Sequence, residues 1–391
     1  MPVHSARRME PIRGFGIDAV ARAAETASAR WPVLRLENLD TNLPLPPEAI
    51  PVTRSALETP EANSWLPFTG DDALRAAVAE LLAERTGHRY EPRTEIVITS
   101  GGMEGILDAL LATVDPGDEV LLTDPTYAGL VNRVHLVGGE PRYAPFAVVD
   151  GEWRLERDAL QAAVTTRTRA LLLMSPSMPS GGTFDADDWD AVCDLCTDRD
   201  LVLILDAAME RLLFDDRPYV NPVRYDGLPE RTLVVGSMSK EFRMIGWRVG
   251  WVAGPRPLID DVGWTHVYNT TTPVGVARAA ATAVLEGDQD HVAACVAELQ
   301  ARRDLILELL PDWPLVRPGG GWSLLLDVAA LGVESAEASR RLLEHGAIAA
   351  TPMIGWGDAV AARHVRFVFS AESRERLGTL PERMAATSLL A

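Results

Sequence analysis

Lysine occurs once in this chain of 391 residues, although lysine and arginine together number 37. The single lysine is Lys240, and the other 36 basic side chains are arginines. A guanidinium stays protonated at any working pH, whereas an ammonium in a suitable pocket can lose its proton and become a nucleophile. A lysine kept where arginine serves every other need for positive charge indicates covalent chemistry, most often a Schiff base with a carbonyl compound. Taken alone, the count is equally compatible with a surface lysine that survived by chance.

The neighbours of Lys240 favour the covalent role. It lies in the run Gly-Ser-Met-Ser-Lys-Glu-Phe-Arg-Met-Ile-Gly-Trp-Arg, residues 236–248. Ser237 and Arg248 in this run can bind a phosphate, the arginine through bidentate charge-assisted hydrogen bonds. Asp206 ends an apolar run, and a buried carboxylate is costly without a partner. A protonated pyridine nitrogen would be such a partner, and a helix N-cap is the alternative role for this aspartate.

Two further segments carry candidate ligands for a flat, phosphorylated molecule. Gly101 and Gly102 join a predicted strand to the start of a helix, where backbone N–H groups and the helix dipole attract an anion. Tyr127 follows the next strand and can stack on a heterocycle. Each signal is weak in isolation, because a tight turn explains the glycine pair equally well and loop packing explains the tyrosine.

The elements that position these side chains follow from hydrophobic periodicity. Short apolar runs alternate with amphipathic helical patterns such as Asp72–Arg85, and they predict strands buried on both faces. This alternation predicts an α/β fold with a mainly parallel sheet, in which ligands gather at the carboxyl ends of the strands. The predicted strands are Ile96–Thr99, Glu119–Thr123, Arg169–Ser175, Leu201–Asp206, Thr232–Gly236 and Val249–Ala253.

The pattern changes after about Val284. A long helical pattern, His291–Leu310, is followed by a glycine-rich turn and an apolar strand, then by a further helix and a strand near Val365–Phe369. We therefore predict three regions. Residues 1–45 form an N-terminal segment that packs on the small domain, residues 46–284 form the large domain, and residues 285–391 form a smaller α+β domain.

Composition limits the function and the location. The net charge of −19 argues against nucleic acid and anionic lipid as partners, because both require a basic face. Three cysteines are too few for a disulfide framework, and no apolar run is long enough to cross a membrane. Residues 1–13 lack the apolar core of a signal peptide. We expect a cytoplasmic protein with no bound metal.

In their order along the chain, Asp206, the Ser-x-Ser-Lys run and Arg248 resemble the class I and II aminotransferases, which are fold type I pyridoxal-phosphate enzymes. The resemblance extends from about Arg35 to Leu377. It implies a pyridoxal-phosphate-binding domain with a mainly parallel sheet flanked by helices, a smaller α+β domain, and a homodimer with shared active sites. It also implies that Lys240 forms the internal aldimine with pyridoxal 5'-phosphate (PLP) and shuttles a proton, while Asp206 pairs with the pyridinium.

The remaining site residues are carried over by the same resemblance. Tyr127 would stack on the cofactor ring, and Arg366 matches the arginine that binds the substrate α-carboxylate. Trp65 and Thr271 are the candidates to reach the cofactor of the partner subunit. The residues expected to hold the phosphate are Gly102, Met103, Ser237, Ser239 and Arg248, and Gly101 is a further expected cofactor contact.

Three positions depart from the family pattern. Met178 and Met209 stand where the family usually has an asparagine and a tyrosine that donate hydrogen bonds to the ring hydroxyl oxygen of the cofactor. A thioether donates none, so both donors are lost at these two cofactor contacts. Trp65 takes the place of a tyrosine that usually reaches the phosphate, and its indole N–H is its single donor.

The resemblance implies a PLP-dependent aminotransferase that acts on an α-amino acid. The two methionines favour an alternative, namely elimination, replacement, cyclisation or oxidation of an amino acid in specialised metabolism. A ligand-sensing regulator on the same fold is a third interpretation. Such regulators carry a DNA-binding module in front of this domain, and the roughly 35 residues that precede it here are not basic overall.

Overall fold

The computed structural model describes residues 5–12, 14, 16–27 and 29–390. The strands in these residues are β1 (Leu34–Arg35), β2 (Ile96–Thr99), β3 (Glu119–Asp124), β4 (Glu140–Val149), β5 (Glu152–Leu155), β6 (Thr168–Met174), β7 (Val202–Asp206), β8 (Thr232–Ser237), β9 (Gly250–Ala253), β10 (Leu315–Val316), β11 (Ser323–Asp327), β12 (Ile348–Ala349), β13 (Thr351–Pro352) and β14 (His364–Val368).

The α-helices in the same residues are α1 (Ile17–Thr26), α2 (Ala49–Leu57), α3 (Asp72–Thr86), α4 (Gly102–Thr113), α5 (Ala128–Leu136), α6 (Arg157–Ala163), α7 (Ala186–Arg199), α8 (Arg256–Asn269), α9 (Gly275–Glu286), α10 (Asp290–Leu309), α11 (Ser335–Gly346), α12 (Ala359–Ala362), α13 (Arg374–Leu377) and α14 (Leu380–Ala386). Short 3-10 helices lie at Arg7–Met9, Pro60–Asn63, Pro222–Arg224, Ile245–Trp247 and Ala329–Leu331.

Eight strands form the main sheet, in the order β2-β9-β8-β7-β6-β3-β4-β5. β9 is antiparallel to both of its neighbours and β5 is antiparallel to β4, while β8, β7, β6, β3 and β4 pair in parallel. The prediction of a mainly parallel sheet is confirmed, and the six predicted strands agree with the observed ones to within one residue at each end. Parallel strands end at one edge of the sheet, so residues that follow β3, β6, β7 and β8 come close together.

Each face of this sheet is covered by helices. Along β7, Leu203 and Leu205 belong to the apolar core that includes side chains of α3, α7 and α9. Val202 and Ile204 point to the opposite face and join the core beneath α4, α5 and α8. Successive side chains of a strand alternate between faces, so the middle of a strand that is buried on both faces is apolar at consecutive positions. This explains the continuous apolar runs in the sequence.

A second core surrounds a four-stranded antiparallel sheet in the order β10-β11-β14-β13. The N-terminal segment adds β1, which pairs in parallel with β12, and the N–H of Val368 donates to the carbonyl of Leu36 at 2.8 Å. The N-terminal part therefore packs on the C-terminal part. The division at residues 45 and 284 stays a prediction.

Helix α3 shows how local sequence sets the limits of an element. The side chain of Asp71 caps its first turn by accepting a hydrogen bond from the N–H of Leu74 at 3.0 Å. The helix is followed directly by Gly87, whose φ of +74° favours glycine. The predicted helix Asp72–Arg85 is thus confirmed with one further residue at its end. In the part of the chain that the structure describes, no helix combines the length and apolar character needed to cross a membrane.

Candidate active site

The ends of β6, β7 and β8 border a cavity of about 240 Å³. The predicted site residues line it, except Gly101, Trp65, Thr271 and Arg366. The lining residues are Leu39, Gly102, Met103, Tyr127, Met174, Met178, Asp206, Ala208, Met209, Ser237, Ser239, Lys240, Ile245 and Arg248. The sheet therefore brings together side chains that lie far apart in the sequence.

Lys240 projects into this cavity from the loop after β8. Its Nζ donates a hydrogen bond to the carbonyl of Leu39 at 3.2 Å and lies 4.2 Å from the centre of the Trp322 ring. Burial lowers the pKa of the Lys240 ammonium to about 7, and the positive charge of Arg366 adds to this effect. A substantial fraction of the amine is therefore neutral near pH 7, as a nucleophile requires.

Asp206 is the last residue of β7 and is buried. Its Oδ1 accepts a hydrogen bond from the N–H of Ala208 at 3.1 Å, within a turn. The described chain does not continue into a helix at this point, so the alternative role of helix N-cap is wrong. Burial raises the pKa of Asp206 to about 6, and Lys240 opposes that rise. A cation in the cavity would stabilise the ionised carboxylate.

The loops after β2 and β8 form an anion-binding corner. Gly101 has a φ of +94° at the start of α4, and a Cβ there would collide with the guanidinium of Arg248. Arg248 donates to Ser239 Oγ at 3.3 Å, and Ser237 Oγ accepts from the N–H of Ser239 at 3.0 Å. The start of the helix, two hydroxyls and a guanidinium thus meet at one end of the cavity, which suits a phosphate.

Glu104 holds this corner against the segment that carries Thr271. Its Oε2 accepts from the N–H of Ser100 at 2.8 Å, and its Oε1 accepts from Thr270 Oγ1 at 3.1 Å. His266 Nδ1 lies 2.9 Å from Oε1 of the same carboxylate. Burial disfavours the charged form of His266, but hydrogen bonds with the carboxylates of Asp108 and Glu104 outweigh this effect and raise the pKa of His266 to about 9. A buried ion pair therefore fixes the shape of the loop.

A cluster of methionines lines the wall of the cavity. Met178 and Met209 are both buried, and neither can donate a hydrogen bond through its side chain. Met174, the last residue of β6, lies beside them and accepts a hydrogen bond from the N–H of Met178 through Sδ at 3.3 Å. This third methionine was not predicted from the sequence, because it ends the apolar run Ala170–Met174 of β6 and looks like another core residue.

Arg366 lies behind the cavity in β14 and is fully buried. Its Nη2 donates to the carbonyl of Glu37 at 2.5 Å and to Thr351 Oγ1 at 3.3 Å, and its guanidinium carbon lies 4.4 Å from the centre of the Trp356 ring. Among the described residues, its Nε and Nη1 have no hydrogen-bond partner. Burial lowers the pKa of Arg366 to about 9. Two free donors on a buried cation fit a carboxylate ligand.

Trp65 and Thr271 do not reach the cavity of their own subunit. Trp65 is 72% exposed and contacts Phe68 edge to face, with ring centres 5.6 Å apart. Thr271 is exposed and has a φ of +75°. Their predicted contact with the cofactor of a partner subunit stays a prediction.

The model of the family described as Aminotransferase class I and II matches residues 36–383. The chain belongs to this family. The matched range contains every predicted site residue from Trp65 to Arg366.

Relatives of this aminotransferase cover most of its length. The probable N-succinyldiaminopimelate aminotransferase DapC of Mycobacterium tuberculosis is 32% identical over 360 residues, which is 87% of this chain and 90% of that protein. The aspartate aminotransferase of Pyrococcus abyssi is 31% identical over 322 residues, 81% of this chain and 82% of that protein. The solved N-succinyldiaminopimelate aminotransferase from M. tuberculosis has a TM-score of 0.91 at 29% identity and covers 98% of this chain and 100% of its own.

These findings confirm the predicted family, the fold class and the enzyme class. They do not favour the elimination, replacement, cyclisation or oxidation reactions that the two methionines suggested. Three further lining residues were not predicted from the sequence. Leu39 lies in a loop without a motif, and Ala208 and Ile245, although they are close to Asp206 and Lys240 in the sequence, are apolar residues without a chemical signal.

Proposed function

We propose that this aminotransferase uses PLP bound covalently to Lys240 and acts on an α-amino acid. The observation that carries the proposal is the position of its one lysine, whose Nζ lies in the cavity bordered by Asp206 and the anion-binding corner. When bound, PLP supplies an electron sink for reactions at the Cα of an amino acid. The chain itself must then hold the cofactor, orient the substrate and move protons.

The residues present fit such a cofactor. The corner formed by Gly102, Ser237 and Arg248 suits its phosphate, and the ring of Tyr127 lines the cavity beside it. Asp206 needs a cation because its buried carboxylate otherwise has a raised pKa, and a pyridinium nitrogen would be that cation. Gly101, Met103 and Ser239 complete the predicted cofactor contacts.

Arg366 would bind the substrate, and Lys240 would transfer its proton. Nε and Nη1 of Arg366 have no partner among the described residues, and their N–H groups can bind the α-carboxylate and so place the Cα–H bond near the lysine. The amine of Lys240 has its pKa lowered to about 7, so it can accept the proton from Cα and return it elsewhere at neutral pH.

Borohydride reduction of the purified protein, followed by peptide mapping, tests the attachment. We expect the label on Lys240, and we expect Lys240→Ala to remain unlabelled. A colourless wild-type protein that takes up no PLP on reconstitution would refute the proposal.

The type of reaction is tested by adding single amino acids to the loaded enzyme without a keto-acid acceptor. An aminotransferase should convert the bound cofactor to its amine form and release one keto acid for each site. Release of ammonia or multiple turnovers without an acceptor would instead support one of the alternative reactions.

We propose a homodimer in which Trp65 and the segment 269–272 complete the site of the partner. Two pairs of exposed aromatic side chains support this assembly, because a partner subunit would cover them. Trp65 contacts Phe68, and Trp264 stacks on Tyr268 with ring centres 6.3 Å apart. Light scattering of the active enzyme should give twice the monomer mass of 42.5 kDa. A mass equal to that of the monomer would refute the assembly.

We further propose a cytoplasmic location, which the small number of cysteines supports.

A further inference from the structure

Two turns carry the residues that face the cofactor cavity, and each turn continues directly into a buried glutamate. Met209, in the turn after β7, is followed by Glu210, and Lys240, in the loop after β8, is followed by Glu241. Both carboxylates are about 2% exposed and point away from the cavity. Buried carboxylates are costly unless they are paired with a cation.

A single guanidinium joins these two glutamates. Arg85, in the last turn of α3, donates through Nη1 to Glu210 Oε1 and through Nη2 to Glu241 Oε2, the latter at 3.1 Å. The side chain of Arg85 is 10% exposed. The rigid fork of a guanidinium holds two acceptors at a fixed spacing, which a lysine cannot do. Arg85 therefore links the two turns from outside the cavity, beside the direct link from the backbone N–H of Arg211 to Glu241.

The two glutamates depend on Arg85 to different degrees. Glu241 is also bound by Arg211, which donates to it from its backbone N–H and from Nε, each at 2.8 Å. Glu210 has one further partner, the hydroxyl of Tyr219, and within the described residues Arg85 is its one ion-pair partner. Burial raises the pKa of Glu210, and the charge of Arg85 opposes this. Loss of Arg85 would thus leave Glu210 without its ion-pair partner, while Arg211 would still join the turn after β7 to Glu241.

We propose that Arg85 is a positioning residue for the reaction, because it fixes the turn of Met209 relative to the loop of Lys240 from outside the cavity. The proposal rests on the proposed function, in which Asp206 and Lys240 act on the same cofactor. Asp206 lies three residues before Met209, so a displaced turn also displaces its carboxylate. A misplacement of about 1 Å in an active site lowers the rate about 100-fold.

Three variants and one control test this role in the loaded enzyme. Arg85→Met removes the charge and keeps the length, Arg85→Lys keeps the charge without the fork, and Glu210→Gln keeps an acceptor without a charge. The control is Arg383→Met, which removes a buried arginine of α14 that binds the carbonyl of Ala347 instead of the cavity loops. For each protein, kcat, KM, thermal stability and the circular dichroism of the cofactor band are measured.

We expect Arg85→Met to bind PLP at Lys240 but to lose about 100-fold in kcat with little change in KM, and to show an altered cofactor band. Arg85→Lys should recover part of the rate, and Arg383→Met should lose stability while its kcat and cofactor band stay unchanged. The cofactor band distinguishes positioning from a purely structural role, because lower stability alone does not change the surroundings of the bound ring.

A loaded Arg85→Met enzyme with the wild-type kcat and cofactor band would overturn the role of Arg85. If Arg85→Met does not fold, Glu210→Gln tests the proposal instead. It weakens the bond between Arg85 and residue 210, and we expect smaller changes of kcat and of the cofactor band in the same direction. An unchanged Glu210→Gln enzyme would then overturn the proposal. Failure of the wild-type protein to bind PLP would refute the proposed function itself and is seen before any variant is compared.

Discussion

The ammonium of Lys240 lies over the face of Trp322, with Nζ 4.2 Å from the ring centre. The indole face stabilises a cation, whereas burial and the nearby charge of Arg366 destabilise it. Burial, together with the charge of Arg366, lowers the pKa of Lys240 to about 7. The cofactor-free protein is therefore prepared to react with an aldehyde at neutral pH.

The first prediction follows from this pKa. The rate at which cofactor-free protein captures PLP should rise with pH through about 7 and then level off, because the neutral amine is the nucleophile. Stopped-flow absorbance measures the rate. The reaction of PLP with Nα-acetyl-lysine, whose ε-amine is free, is measured under the same conditions and corrects for the titration of the cofactor. Trp322→Leu should move the midpoint to lower pH, since the ring favours the cation. A midpoint near the ordinary lysine value of 10.5 would contradict the prediction.

Asp206→Asn should have opposite effects on stability and on activity. The folded protein raises the pKa of this carboxyl from 3.8 to about 6, so the cofactor-free fold binds a proton more tightly than the unfolded chain does. Its contribution to stability is complete below pH 3.8 and is lost as the pH rises through about 6. The variant should therefore have a higher unfolding temperature than wild type at pH 7.5, and the gain should shrink toward pH 5.

The loaded Asp206→Asn enzyme should nevertheless be at least about 100-fold slower, because an amide does not hold a pyridine nitrogen in its charged form. Unfolding is followed by calorimetry and the half-reaction by stopped flow. Equal unfolding temperatures at both pH values would show that the carboxylate already has another partner in the cofactor-free protein.

Much of the large sheet could be predicted from the sequence, because each of its central strands is buried on both faces and appears as a continuous apolar run. β7, for example, has Leu203 and Leu205 facing one core and Val202 and Ile204 facing the other. The β4–β5 hairpin escaped prediction. Phe146 is buried while Val148 is half exposed, so no uniform apolar run marks β4.

The site could be predicted where chemistry restricts the residue type. The proposed nucleophile must be an amine, the proposed partner of a pyridinium must be a carboxylate, and a guanidinium suits a phosphate, so Lys240, Asp206 and Arg248 could be recognised by their residue types. Arg85 left no comparable signal, because it is one of 36 arginines and acts through two glutamates that are distant in sequence. Contacts of that kind depend on the packing of three elements, which periodicity does not encode.

Arg366→Met should raise the KM for the amino acid and leave cofactor binding intact. The two unpaired N–H groups of Arg366 are the proposed contact for the α-carboxylate, and losing a buried charge pair costs about 2 kcal/mol or more, which corresponds to about 30-fold in KM. Steady-state kinetics provide the measurement. An amine substrate that lacks the carboxylate is the control and should react equally slowly with both enzymes. A normal KM in the variant would assign the carboxylate to another residue.

The methionines that line the cavity, Met178 and Met209, would influence which form of the cofactor carries a charge on its ring oxygen. Ser175 and Ser180 are hydroxyl residues close to Met178 in the sequence, but neither of them lines the cavity, so neither replaces the two lost donors there. Met178 and Met209, the proposed contacts of the ring oxygen, would therefore offer it no hydrogen bond that stabilises it as an anion.

The last prediction follows from that loss. Without donors, the anionic ring oxygen depends more on the protonated nitrogen that joins Lys240 to the cofactor, so this nitrogen should keep its proton to higher pH than in relatives with both donors. Met178→Asn with Met209→Tyr should lower its pKa by roughly one unit or more if each bond contributes about 1 kcal/mol. The visible absorbance of the loaded enzyme, titrated against pH, gives the value. Met178→Leu with Met209→Phe changes the same positions without adding donors and should leave the pKa unaltered. An equal shift in both double variants would trace the effect to packing instead of hydrogen bonding.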